Sequence, residues 1–277
     1  MGTVLHPNDP FVLPPPLSQG VPLATRILGE HGPTVVLIHG LGRVAAIWAD
    51  VARFTVGRLR LVLMDNPGIG RSSHLRVPST VEAHAALYEE TLKSLGLPAP
   101  FHVAGLSLGG MIAPALASRL GTAAASVTLL SSSSFESGFC RLSPMSMLRM
   151  AGRSVRTLSI DHRVNMPELV SPRLLEQHPD LWRRLDAVQD AEGFSAKAGT
   201  RQLLAAARFR MKPHLKSLPA RRLVAVGDQD RLVPPANSRK LAQLLGVPLE
   251  VLAGRHHDLS LDAPETVAEL LFRVTGA

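Results

Sequence analysis

Apolar residues along this chain come in short β-rich bursts separated by longer stretches with helical spacing. Residues 34–38 read Thr-Val-Val-Leu-Ile between Pro33 and Gly40. That run is too short for a helix, and it suits a strand buried on both faces of a parallel sheet. Residues 60–64, Arg-Leu-Val-Leu-Met, repeat the form, as do 101–104, 126–130, 222–226 and 249–252; residues 23–28 make a further candidate. Between them lie helix patterns at 44–54, 80–95, 111–117, 236–245 and 264–274. In the second of these, Thr80 can cap the start and Gly96 can end it, with Val81, Ala85, Tyr88, Leu92 and Leu95 on one face. Strands alternating with helices predict an α/β fold with a mostly parallel central sheet flanked by helices.

The alternation breaks after Phe135. Residues 136–219 carry no convincing strand. Leu174, His178, Leu181, Leu185 and Val188 recur at helical spacing behind Pro172, and 202–209 reads as another helix. The chain therefore divides into a Pro-rich extended arm at 1–22, a core at 23–135 and 220–277, and a helical insertion at 136–219.

A length of 277 residues suits one large domain, or one domain with an insertion. Aromatic residues are only 4%, so the core has to be aliphatic. The net charge of +8 is unevenly spread: residues 136–219 hold 14 Lys and Arg against 8 Asp and Glu, and the remainder 16 against 14. A solvated, arginine-rich helical face accounts for this excess; attraction of acidic substrates is the functional alternative. No run of like charges or nucleic-acid module points to DNA or RNA. The histidines outside the motifs below show no ligand spacing, so no metal is expected. The single Cys140 permits no disulfide within the chain. Residues 1–7 lack a signal-peptide pattern, and nowhere do about 18 apolar residues run together. A soluble cytoplasmic protein without a membrane span is the expectation.

The chemistry begins at Gly105-Leu106-Ser107-Leu108-Gly109, which fits Gly-x-Ser-x-Gly between a strand pattern and a helix pattern. A serine on so sharp a turn is pushed out of the packed layers, and the helix N-terminus beneath it favours developing negative charge. A serine hydroxyl needs a base to take its proton, and that base needs an acid to orient it. In an open parallel sheet these groups belong at the C-terminal ends of strands. Two such ends carry candidates: Gly227-Asp228-Gln229-Asp230 and Gly254-Arg255-His256-His257-Asp258. The resulting chain order is Ser107, Asp230, His257.

Further motifs occur in order: His39-Gly40-Leu41-Gly42, Asp65-Asn66-Pro67-Gly68-Ile69-Gly70-Arg71-Ser72, and Asp262-Ala263-Pro264-Glu265 after the histidine pair. With these the chain resembles the α/β-hydrolase fold family, particularly its capped carboxylesterase- and lipase-like serine hydrolases. The resemblance implies Ser107 as nucleophile, His257 as general base and Asp230 as the acid that orients it. It selects Asp230 over Asp228 by the pattern Gly-x-x-Asp, and His257 over His256 by the sequel that follows. The family usually has glycine where His256 stands. The oxyanion hole would come from the backbone N–H groups of Leu41 and Leu108, each contributing about 3–4 kcal/mol. His39 would be structural.

The family's cap would correspond to 136–219, where Met145, Met147, Leu148, Met150, Trp182 and Phe194 stand. Methionine is adaptable, so Met145, Met147 and Trp182 are the candidates for a substrate pocket, with cap–core packing as the plainer role. The implied substrate is a small-molecule carboxylic ester with a hydrophobic part, cleaved through an acyl-enzyme without a cofactor. Hydrolysis of carbon–carbon bonds, lactones or thioesters, and perhydrolysis, would use the same parts; a non-enzymatic receptor is a further alternative. Serine at residue 107 disfavours the dehalogenase and epoxide hydrolase chemistry of relatives that carry aspartate there.

Overall fold

A computed structural model describes residues 12–138, 141–149, 162–193 and 196–277. Seven strands form one sheet: β1 (Thr25–Leu28), β2 (Thr34–Ile38), β3 (Arg60–Met64), β4 (Phe101–Leu106), β5 (Ala124–Leu130), β6 (Arg221–Gly227) and β7 (Leu249–Leu252). Their spatial order is β1-β3-β2-β4-β5-β6-β7. All neighbours are parallel except β1, which runs antiparallel to β3 at one edge.

The apolar runs form strands because both sheet faces are covered. Successive side chains alternate between faces. Val35, Leu37, Leu61, Leu63, Ala104 and Leu106 join one core cluster, while Val36, Ile38, Val62, Met64 and Val103 join the other. Helices α1 (Ala49–Thr55) and α10 (Pro264–Thr275) pack into the first cluster. Helices α2 (Val81–Leu95), α3 (Gly109–Leu120) and α8 (Pro235–Leu245) pack into the second. In α2, the Thr80 hydroxyl accepts the Ala83 N–H at 3.2 Å, and Gly96 closes the helix in the left-handed conformation. The predicted helix at 44–54 is divided: a 3-10 turn covers Ala45–Trp48 and the α-helix begins at Ala49.

Between β5 and β6, the described residues contain a helical stretch at 144–149, then α4 (His162–Leu169), α5 (Pro172–Gln177), α6 (Leu181–Glu192) and α7 (Ala196–Arg208). The single apolar stripe expected from Leu174 to Val188 is two helices. His178 leaves the helical region at φ −131°, ψ 71°, because Pro179 after it crowds the α conformation and lacks an N–H. Of the predicted arm, residues 1–11 lie outside the described residues; Leu17 makes an isolated antiparallel bridge to Thr25. A short helix α9 (Leu259–Asp262) completes the chain's elements ahead of α10.

Candidate active site

Every strand from β2 to β7 delivers its C-terminal end to one edge of the sheet, where the polar motifs stand. Ser107 follows β4 directly and adopts φ +56°, a left-handed backbone rare for a residue with a Cβ. Two hydrogen bonds and the glycines on either side hold this turn. Its N–H donates to the Leu130 carbonyl at 2.8 Å, and its carbonyl accepts the Ser132 hydroxyl at 2.8 Å. The flanking glycines permit close approach: a Cβ on Gly105 would strike the Gly109 carbonyl, and one on Gly109 the Ile38 carbonyl. Ser107 is partly exposed, whereas Leu106 and Leu108 on either side are buried.

The turn after β2 lies against this serine. A Cβ added to Gly40 would sit 3.4 Å from the Ser107 Cβ. His39, fully buried, holds that turn through its ring. The Asn66 N–H donates to Nε2 at 3.0 Å, so Nδ1 carries the proton and donates to the Gly40 carbonyl at 2.9 Å. Burial lowers the His39 pKa and keeps the ring neutral.

The loop after β6 folds around Asp230. One carboxylate oxygen accepts the N–H groups of Leu232 and Val233 at 3.0 and 2.8 Å, and the other lies 2.8 Å from His257 Nδ1. The Asp230 side chain is wholly buried and that of His257 nearly so. Burial alone would lower the His257 pKa; the charge and hydrogen bond of Asp230, with Asp258, overcome it and hold the pKa above its ordinary 6.5. His256 turns elsewhere. Its N–H donates to Asp262 at 2.7 Å, and both of its ring nitrogens are buried without a partner among the described residues. Asp228 accepts the Gly254 N–H at 2.7 Å and so braces the β7 turn.

Ser107 and His257 line one cavity of about 590 Å³, within the usual range of small-molecule sites. Leu41 and Leu108 line it as well, together with apolar side chains such as Met111 and Leu203. The three residues singled out for the substrate pocket are placed differently. Met147 lines this cavity. Met145 is 55% exposed and is not part of the lining, and Trp182 packs against the first core cluster instead of lining the cavity. Met150 and Phe194 lie outside the described residues.

Sequence reasoning passed over three residues at this site. Arg43, 8% exposed, lines the cavity and pairs with Asp258 at 3.4 Å. Its signal was its place immediately after the His39-Gly40-Leu41-Gly42 motif. Ser132 braces the Ser107 turn, and the clue was the run Ser131–Ser134, polar yet following an apolar strand. Arg141 also lines the cavity, and nothing in its spacing marks it. Among the described residues, no three His, Cys, Asp or Glu side chains gather to hold a metal ion, and no helix is long and apolar enough to cross a membrane.

Comparison with known proteins agrees with this architecture. Over 240 residues the chain is 28% identical to the polyketide synthase ThaQ of Burkholderia thailandensis, covering 84% of this chain and 11% of the synthase. Over 100 residues it is 38% identical to the pimeloyl-[acyl-carrier protein] methyl ester esterase of Methylococcus capsulatus, covering 36% of this chain and 37% of the esterase. The chain thus matches well under two thirds of either relative's length. Among solved structures, the enol-lactonase of Burkholderia xenovorans LB400 superposes with a TM-score of 0.72 at 22% identity, covering 92% of this chain and 96% of that one. The alpha/beta hydrolase family profile matches residues 35–270, and the chain belongs to that family.

Proposed function

We propose that this protein is a serine hydrolase that cleaves carboxylic esters through an acyl-enzyme. The observation that carries the reading is the 2.8 Å bond between Asp230 and His257 beside a cavity that Ser107 also lines. Ser107 attacks the ester carbonyl and His257 Nε2 takes its proton. Asp230 fixes Nδ1–H and stabilises the imidazolium that forms. Negative charge on the carbonyl oxygen is met by the N–H groups of Leu41 and Leu108. His257 then returns the proton to the departing alcohol, and water releases the acid by the same steps in reverse.

Residues 136–219 act in this reading as a cap. Arg141, Met147, Asn165, Leu169, Leu203 and Ala206 from that segment line the cavity opposite the strand ends. The Asp258 N–H donates to the Leu169 carbonyl at 2.7 Å, which ties the segment to the histidine loop. The apolar lining favours a substrate with a hydrophobic part, and the esterase named among the relatives favours an ester.

Hydrolysis of p-nitrophenyl esters from acetate to palmitate, in wild type and Ser107→Ala, tests the proposal. The expected result is turnover that falls by at least about 10⁴-fold in the variant. Equal turnover in both proteins would remove Ser107 from the mechanism. No turnover by folded wild type would redirect the chemistry to carbon–carbon, lactone or thioester substrates.

A further inference from the structure

Arg141 brings a cation to the active-site cavity with little around it to balance the charge. Its Nε donates to the Ser133 hydroxyl at 3.2 Å and its Nη1 to the Ala207 carbonyl at 3.0 Å. Its Nη2 reaches only the Met111 sulfur, at 3.4 Å. A guanidinium has five N–H donors and a thioether is a weak acceptor. Among the described residues Arg141 forms no ion pair. The acid that acts on it, Glu136, uses its two oxygens on the N–H groups of Met211 and Lys212, at 2.9 and 3.1 Å. The contrast is Arg43 on the same cavity, which is matched by Asp258. Burial lowers the Arg141 pKa, with Glu136 opposing, as expected of a charge short of solvent and partners.

We propose that Arg141 is a specificity residue that binds a carboxylate carried by the substrate, so that the preferred esters are half-esters of short dicarboxylic acids. This rests on the ester-hydrolase reading above. The planar fork of a guanidinium matches a carboxylate, and a neutral ester of equal length would leave this half-buried cation unpaired. The bond to Ser133 ties the segment 136–219 to the core, and the bond to Ala207 lies within that segment. The Nη2 edge is left for a ligand. Met111, which Nη2 touches, stands in the first turn of α3, four residues after Ser107 in the chain, and Arg141, Met111 and Ser107 line one cavity. A half-ester carries its ester carbonyl and its acid on one chain and so can meet Ser107 and Arg141 together in this cavity; succinate, glutarate and adipate half-esters give a graded series of lengths.

The experiment compares kcat/KM for monomethyl glutarate and monomethyl adipate with that for methyl pentanoate and methyl hexanoate. It uses wild type, Arg141→Met and Arg141→Lys, each verified as folded by its melting curve. In wild type the acid-ended esters should be favoured by about 10- to 100-fold. That ratio should fall to near one in Arg141→Met and partly return in Arg141→Lys. A merely structural arginine would not move a ratio between two substrates of one length. A wild-type ratio near one, or a ratio unchanged in Arg141→Met, overturns the proposal. If wild type hydrolyses none of these esters, the ester reading fails separately. Calorimetric binding of glutarate to Ser107→Ala then decides: binding lost in Ser107→Ala/Arg141→Met and partly kept in Ser107→Ala/Arg141→Lys sustains the arginine's role, and binding that is absent in Ser107→Ala or unchanged in Ser107→Ala/Arg141→Met ends it.

Discussion

Two buried aspartates stand at the C-terminal edge of this sheet, Asp65 directly after β3 and Asp230 just beyond β6, and their side chains are equally hidden from solvent. Each accepts two backbone N–H groups: Asp65 from Ala45 and Arg71, Asp230 from Leu232 and Val233. They differ in the third partner. Asp65 lies 3.7 Å from Arg26, a permanent cation that also bonds Glu192 at the end of α6. Asp230 holds His257, whose charge comes and goes near neutral pH. The same carboxylate environment thus makes a fixed joint between β1, β3 and α6 in one place and a proton-handling pair in the other. What separates structure from chemistry here is whether the partner can release its proton, and whether it opens onto a cavity.

The comparison can be broken from either side. Asp230→Asn should lower kcat/KM by about 10⁴-fold while changing the melting temperature little, as steady-state kinetics and calorimetry would show. Comparable loss of activity in Asp65→Asn at unchanged stability would erase the distinction. Asp65→Ala should instead destabilise the fold by about 3–5 kcal/mol, because the buried N–H groups of Ala45 and Arg71 lose their acceptor and Arg26 is left with Glu192 alone. For a chain of this size that is a fall in Tm of roughly 10 °C, read by thermal denaturation.

The pH dependence sharpens the same contrast. His257 acts as a base only when neutral, so wild-type kcat/KM should rise with pH through a midpoint above 6.5. In Asp230→Asn the opposing charge is gone and burial dominates, so NMR titration of this imidazole should move to lower pH. Glu192 gives the smallest effect. Burial raises its carboxyl to about 7, against the attraction of Arg26. A folded-state pKa above the unfolded one means stability that is full below about 4.5 and is lost as pH rises through 7. Glu192→Gln should remove that decline, raising Tm by a few degrees at pH 8 relative to wild type and leaving pH 4 nearly unchanged. An identical pH–Tm curve for the two proteins would exclude Glu192 as its source.

Much of the architecture was legible along the chain. Short apolar runs with no polar face demanded a sheet covered on both sides, and the serine between glycines at 105–109 marked a strand-to-helix turn. The antiparallel direction of β1 was not legible, since a four-residue edge strand carries no signal of direction. Nor was the break at His178, because the apolar spacing runs through it and only the proline beyond it enforces the interruption. The cavity wall was the least legible. Met145, Met147 and Trp182 stood out as adaptable or apolar cap residues, yet Met145 and Trp182 are not part of the lining, while Met147, Arg43 and Arg141 are.

The sequence by itself determined the alternation of strands and helices, the order of the polar motifs and their places at strand ends, because these follow from local periodicity and turn chemistry. The resemblance already pointed to His257 and Asp230; only the tertiary structure decided where His256 and Asp228 turn instead, and which cation beside the cavity has no ion pair among the described residues. The physical reason is that neighbouring residues on a loop share composition and position but point in different directions. Asp228 and Asp230 find their partners 26 and 27 residues along the chain, and packing alone brings those within hydrogen-bonding range.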